Sequence, residues 1–151
     1  PVAGEFLEAV SGGASTMSMA YRDEWSAAGL VEALRNARAD DVRRGVSTVG
    51  PHRDDVAIEV DGLPSRTHAS QGEQRSVALA LRLAGHRVVV DRTGTDPVVL
   101  LDDVFSELDD DRVRALVGLL PATQSVITTA GSVPSGVEPG TLLRLVDGQI
   151  S

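Results

Sequence analysis

Residues Val98-Val99-Leu100-Leu101 run straight into Asp102-Asp103, and then into Val104-Phe105-Ser106-Glu107-Leu108-Asp109. The continuous apolar run predicts a strand buried on both faces, as in a parallel sheet. Ligands of open α/β sheets gather at the carboxyl ends of such strands. Two carboxylates placed there are costly to bury unless something positive meets them, and Mg²⁺ carried by a nucleotide does so. An apolar strand ending in two Asp residues also occurs as a plain strand-to-turn exit, so the motif needs context.

That context lies about 30 residues upstream. Ala69-Ser70-Gln71-Gly72-Glu73-Gln74-Arg75 leads into the Ala/Leu/Arg-rich stretch from Ser76 to Ala84. Ser70 suits an N-cap, and Glu73 three residues later completes a capping box. The same geometry serves chemistry. Unpaired amides at a helix start, with a serine hydroxyl beside them, suit a phosphate.

Taken together and in this order, the two motifs resemble the signature motif, Walker B strand and D-loop of ABC-type ATPases. More narrowly they resemble the RecF family, relatives of the SMC proteins. Gly50-Pro51-His52-Arg53-Asp54-Asp55 matches a hallmark of that family. The resemblance extends from about residue 14 to residue 151.

The resemblance implies a set of roles. Asp102 would hold Mg²⁺ through water, and Asp103 would orient and activate the attacking water. Most ABC enzymes carry Glu at the second position. The shorter Asp arm implies slower hydrolysis, because general-base work requires hydrogen-bond reach. Ser70, Gln71, Gly72, Glu73 and Gln74 align with the signature motif, which covers the γ-phosphate of a nucleotide held by the other subunit. Gln71 replaces a Gly of the transporter pattern. Arg75 is assigned to fold or dimer support. Ser106 and Asp109, with Glu107 and Leu108 between them, match the D-loop and also read as a turn and N-cap. Thr128-Thr129 stands where transporters place a switch His. Thr128 is a weak substitute for that His or simply a strand-end Thr, which β-branching favours. His52 and Arg53 are open between phosphate contact and a plain turn in which Arg53 bridges to Asp54 or Asp55. His68 and His86 carry no special role, and the three His are too scattered for a metal site.

Composition narrows the class. The 151 residues suffice for one domain and a fair core. The net charge of −8 argues against a broad basic nucleic-acid surface on this chain. All 14 basic residues are Arg. A P-loop needs a Lys that reaches the β/γ-phosphates, so this chain contains none. With no Met at Pro1, the expectation is the C-terminal part of a longer protein whose Walker A half lies upstream. No stretch is long and apolar enough to span a bilayer, and the start does not resemble a secretory signal. Cysteine is absent, which fits a cytoplasmic setting.

Along the chain, residues 6–10 read as a helix end, 16–21 as a strand with Met17, Met19 and Tyr21 on one face, and 30–44 as an amphipathic helix closed by Gly45. A strand at 56–60 turns at Asp61-Gly62 into a return strand over 63–68. A helix spans about 72–91, dense in apolar residues from Val77 to Leu83. Strand 98–102, a helix from 110 to about 120 capped by Asp109, strand 124–129 and a hairpin around Asp147-Gly148 follow. The expected fold class is α/β: a mainly parallel sheet flanked by helices, with β-hairpins. Residues 1–48 are read as a remnant of the helical second lobe, and 49–151 as the C-terminal part of the ATPase core.

The implied function is an ATP-dependent DNA clamp in replication, recombinational repair and the SOS response, with ATP sandwiched in a head-to-head homodimer. The implied partners are single-stranded and gapped duplex DNA, RecR and RecO, with ATP and Mg²⁺ as cofactors. Turnover is expected to be slow and DNA-dependent, and absent from this piece alone. The rivals are a catalytically silent ABC-fold dimerisation domain and a transporter nucleotide-binding domain.

Overall fold

The computed structural model describes residues 2–121, 123–134 and 136–150, leaving out the side chain of Glu107. The termini of the two expected domains, Pro1 and Ser151, fall outside these. Helix α1 (Val2–Val10) leads to strand β1 (Met17–Arg22) and helix α2 (Leu30–Arg44). A 3₁₀ turn at Pro51–Arg53 precedes β2 (Asp55–Val60), β3 (Leu63–Pro64) and the short helix α3 (Ser65–His68). The long helix α4 (Gln71–Thr93) is followed by β4 (Val99–Leu101), a 3₁₀ turn at Val104–Glu107, α5 (Asp110–Leu119) and β5 (Ser125–Ile127). A hairpin of β6 (Leu145–Val146) and β7 (Gln149–Ile150) comes last. The fold is α/β, with β4 and β5 parallel and β1-β2-β3 antiparallel.

Helix α4 organises the molecule. Val77, Ala80 and Ala84 face a cluster with Ala3 and Leu7 of α1, Met17 of β1 and Val60 of β2. Leu79 and Leu83 face a second cluster with Val10, Phe105, Val113 and Leu116. Leu101 and Ile127 pack against the second cluster from the parallel pair. One helix thus buries two adjacent stripes, which explains why its apolar residues are dense rather than confined to one face. Packing runs across residue 49: β1 pairs with β2 from Met17↔Val60 to Arg22↔Asp55.

Local signals explain most element ends. Gly45 closes α2 in the left-handed conformation, at φ 67°. Asp61 and Gly62 both take positive φ, as a two-residue hairpin turn requires, and Asp147 and Gly148 do the same in the last hairpin.

Two expectations need correction. The return strand over 63–68 is only Leu63–Pro64, and the chain then coils into α3. Pro64 has no N–H to extend the ladder. Second, β4 is not buried on both faces. Leu100 is 74% exposed and its register partner Val126 is 47% exposed. In the two-stranded β4-β5 sheet, Val99, Leu101, Ser125 and Ile127 are the half-buried positions. The face of β1 that carries Met17, Met19 and Tyr21 is buried only at Met17; Tyr21 is 62% exposed. The apolar stripe of α2 is likewise uncovered, and none of its residues is buried. No helix among the described residues is long and apolar enough to cross a membrane.

Candidate functional site

The apolar run ends where the parallel pair ends. Asp102 and Asp103 follow β4 directly, and both are exposed. The neighbouring strand delivers Thr128 to the same edge, because Thr128 N–H donates to the Leu101 carbonyl at 2.9 Å. The Thr128 hydroxyl donates to the Asp102 carboxylate. The Asp103 N–H donates to both the Thr128 carbonyl and the Thr128 hydroxyl, each at 3.1 Å. Asp103 adopts left-handed backbone, φ 47°, which Asp tolerates better than most L-residues. The chain thereby turns sharply into the 3₁₀ segment, where the Ser106 hydroxyl donates to the Asp103 carbonyl at 3.0 Å. Asp102, Asp103, Ser106 and Thr128, each predicted from sequence, therefore form one connected group.

This strand tip suits a hydrated Mg²⁺. Among the described residues no three His, Cys, Asp or Glu side chains gather into a metal cage. Mg²⁺ keeps several waters and takes one or two carboxylates plus phosphate oxygens, so a solvent-facing carboxylate fits its chemistry.

The second predicted group forms the start of α4. Ser70 is the N-cap, and its hydroxyl accepts from Glu73 N–H at 3.3 Å. Glu73 Oε2 accepts from Ser70 N–H and from the Ser70 hydroxyl, both at 2.7 Å. These bonds hold the Glu73 carboxyl below the usual Glu range, first through the Ser70 side chain and then through its amide. Gln74 Nε2 donates to the Ala69 carbonyl at 2.9 Å. Ser70, Gln71 and Gln74 are exposed; Gly72 and Glu73 are half-buried.

Asp109 caps α5 by accepting from Arg112 N–H at 2.9 Å. The Arg112 guanidinium returns to Asp109 Oδ2 at 3.6 Å. It also reaches α4: a methyl group at Gly72 would lie 3.3 Å from Arg112 Nη1. Sequence reasoning missed Arg112. Its spacing from the cap Asp109 was visible, but nothing local announces the contact with Gly72.

In the Gly50–Asp55 turn Arg53 does not bridge to Asp54 or Asp55. Arg53 Nε donates to the Ser47 carbonyl at 3.0 Å, and His52 Nε2 lies 3.3 Å from the same oxygen. Asp55 pairs with Arg66 at 2.9 Å. Asp54 accepts from Trp25 Nε1 at 2.8 Å and from the Tyr21 hydroxyl. Gly50 is buried at φ 132°, and a Cβ there would stand 3.2 Å from the His52 ring. The turn borders an open cavity of ≈ 480 Å³, whose lining includes Tyr21, Trp25, Val49, Arg53 and Asp54. His86 is structural: its Nε2 lies 3.1 Å from the Pro97 carbonyl and 3.0 Å from Asp96 Oδ1.

No family model matches the chain. Curated relatives do. The DNA replication and repair protein RecF of Acidothermus cellulolyticus is 40% identical over 139 residues, spanning 83% of this chain and 37% of that protein. RecF of Frankia alni is 47% identical over 109 residues, spanning 72% of this chain and 28% of the relative. The solved structure of the recombination mediator protein RecF-ATPrS in the RecFOR pathway superposes with a TM-score of 0.76 at 30% identity. That match covers 99% of this chain and 42% of the solved one. A second RecF structure, RecF-ATP, gives 0.74 at 31% identity. The chain thus spans about 40% of the length of the relatives it matches. On its ABC-type α/β fold and this similarity, it belongs to the RecF family and corresponds to the C-terminal part of RecF.

Proposed function

We propose that this chain is the C-terminal part of an ATPase head that acts as an ATP-dependent clamp on DNA in replication and recombinational repair. The observation that carries the reading is the Asp102–Thr128–Asp103 group, exposed at the end of a parallel strand pair. Asp102 would hold Mg²⁺, which when bound neutralises charge between the β- and γ-phosphates. Asp103 would accept a proton from the attacking water, within hydrogen-bond reach. Its left-handed backbone turns the chain away just past the strand, and the two Thr128 acceptors pin its amide. Thr128 holds the Asp102 carboxylate in place, and it offers a hydroxyl where a switch His would offer an imidazole.

The start of α4 would grip the γ-phosphate of a nucleotide bound to a second protomer. Support comes from the capped N-terminus of α4, where Ser70 and Gln71 are exposed. A capped helix start and an acidic strand tip on one chain fit a head-to-head homodimer with nucleotide between. Ser106 and Asp109 would lie at that interface as the D-loop. Of residues 1–48, α2 best fits a second-lobe remnant, since its surface is left open; residues 49–151 carry the ATPase-core motifs. Single-stranded and gapped duplex DNA, RecR and RecO are the proposed partners, in the cytoplasm. The net charge of −8 gives this chain no broad basic face, so DNA contact is assigned to the rest of the protein and the dimer groove.

The test is steady-state ATP hydrolysis, with gapped DNA, by the full-length protein carrying this sequence. Asp103→Asn should lose about a hundredfold or more in turnover, within the range of general-base effects. Equal turnover in wild type and variant would remove the catalytic role, and no turnover in either would favour a silent dimerisation domain.

A further inference from the structure

We propose that Arg112 is a positioning residue that fixes the D-loop to the signature turn of the same protomer. The inference rests on the ATPase reading for its functional meaning, but its geometry stands without it. Arg112 is the third residue of α5, and its backbone N–H satisfies Asp109 Oδ1 at 2.9 Å. Its guanidinium Nε lies 3.6 Å from the other oxygen, Asp109 Oδ2. The far end of the same guanidinium packs on Gly72, the second residue of α4. One planar group thus touches the cap of one helix and the first turn of another.

Three features make this a strut rather than a surface ion pair. The Arg112 side chain is 32% exposed, far less than the arginines of the other (i,i+3) pairs, such as Arg35 at 73% and Arg43 at 70%. Gly72 leaves room for Nη1, since a methyl group there would meet it at 3.3 Å, closer than ordinary contact. The Glu73 carboxylate, anchored first by Ser70, also feels the positive field of Arg112. A planar guanidinium offers donors along two edges, so it can serve Asp109 and α4 together; an ammonium cannot match that spread.

The consequence is mechanical. A displacement of the α4 turn, as when phosphate engages Ser70 and its neighbours, is passed through Arg112 to Asp109. The D-loop then moves with the turn instead of independently. Arg112 touches no reacting atom in this scheme, so its loss should lower turnover without weakening nucleotide capture.

Two measurements test the link. The first needs no nucleotide. Asp109→Asn and Arg112→Gln should each speed amide exchange at Glu73 and Gln74 in this chain, by about tenfold for a loosened helix start. Asp109 has no bond to α4, so exchange unchanged in Asp109→Asn overturns the strut. The second uses the full-length protein. Arg112→Gln should lower kcat about tenfold, with KM for ATP held within about twofold. The Asp109→Asn/Arg112→Gln double variant should be no slower than the slower single. Losses that multiply, or wild-type kcat in Arg112→Gln, overturn the proposal. Arg112→Lys, which keeps the charge but not the fork, covers the case in which Arg112→Gln fails to fold, and it should also lose turnover. Altered exchange alongside a wild type that hydrolyses no ATP would retire the ATPase reading and leave the strut standing.

Discussion

The Thr128 hydroxyl donates to the Asp102 carboxylate across the two strands of the parallel pair. Hydrogen bonds to a charged acceptor contribute roughly 1.5–3 kcal/mol. Thr128→Val removes this bond while keeping the side-chain shape, and the Thr128 carbonyl still serves Asp103. Turnover of the full-length protein should fall about tenfold, the size of one such bond. Thr128→Ser, which retains the hydroxyl, should stay within about threefold of wild type by the same reasoning. A Val variant as fast as wild type would leave Thr128 a strand-end residue and nothing more.

Asp103 separates stability from turnover. Its φ of 47° is left-handed, a region Asn and Asp tolerate and Ala does not. In urea unfolding, Asp103→Asn should match wild type, while Asp103→Ala should lose about 1 kcal/mol. Both should lose hydrolysis in the full-length protein. An Ala variant as stable as the Asn variant would contradict the backbone argument without touching the catalytic one.

The Glu73 carboxyl should titrate below the ordinary Glu value of 4.5, because Ser70 bonds its charged form. A depressed folded pKa means that the group's contribution is fully present above the unfolded value. It is lost as pH falls through the lower, folded one. Carbon-detected NMR titration should show Glu73 titrating below that value. Ser70→Ala should return it toward the ordinary value. A Glu73 that titrates normally in the wild type would mean the capping box is not held in solution.

Trp25 is the single Trp, which makes its environment easy to read. It is half-buried, and Asp54 accepts its indole N–H at 2.8 Å. Asp54→Ala should destabilise by about 1–2 kcal/mol, since a part-buried donor loses its partner, and should shift the Trp fluorescence to the red. Asp54→Asn keeps an acceptor oxygen and should behave like wild type. Matching spectra for all three would detach Asp54 from Trp25.

What was legible in the sequence was local. Gly45 after an Arg-rich last turn, Ser70 with Glu73, Asp109 before an acidic first turn, and the two Asp-Gly pairs each carry their conformation within four residues. The strand tip was legible because an apolar run and its polar exit are also local. What stayed hidden depends on distant partners. Trp25 and Asp54 are separated by 29 positions, and no pattern in either segment names the other. The Gly72–Arg112 contact depends on how α4 and α5 lie together, which periodicity does not specify. The misjudged burial of β4 has one cause: an apolar run announces that a strand is apolar, not how many layers cover it.

Leu100 and Val126 stand side by side on adjacent strands, and both are exposed. A serine at Leu100 would cost this chain's own folding little, for most of that side chain meets solvent. Their oiliness therefore answers to a demand that does not arise within these residues. Side chains that a domain does not need for itself are a record of the company it keeps.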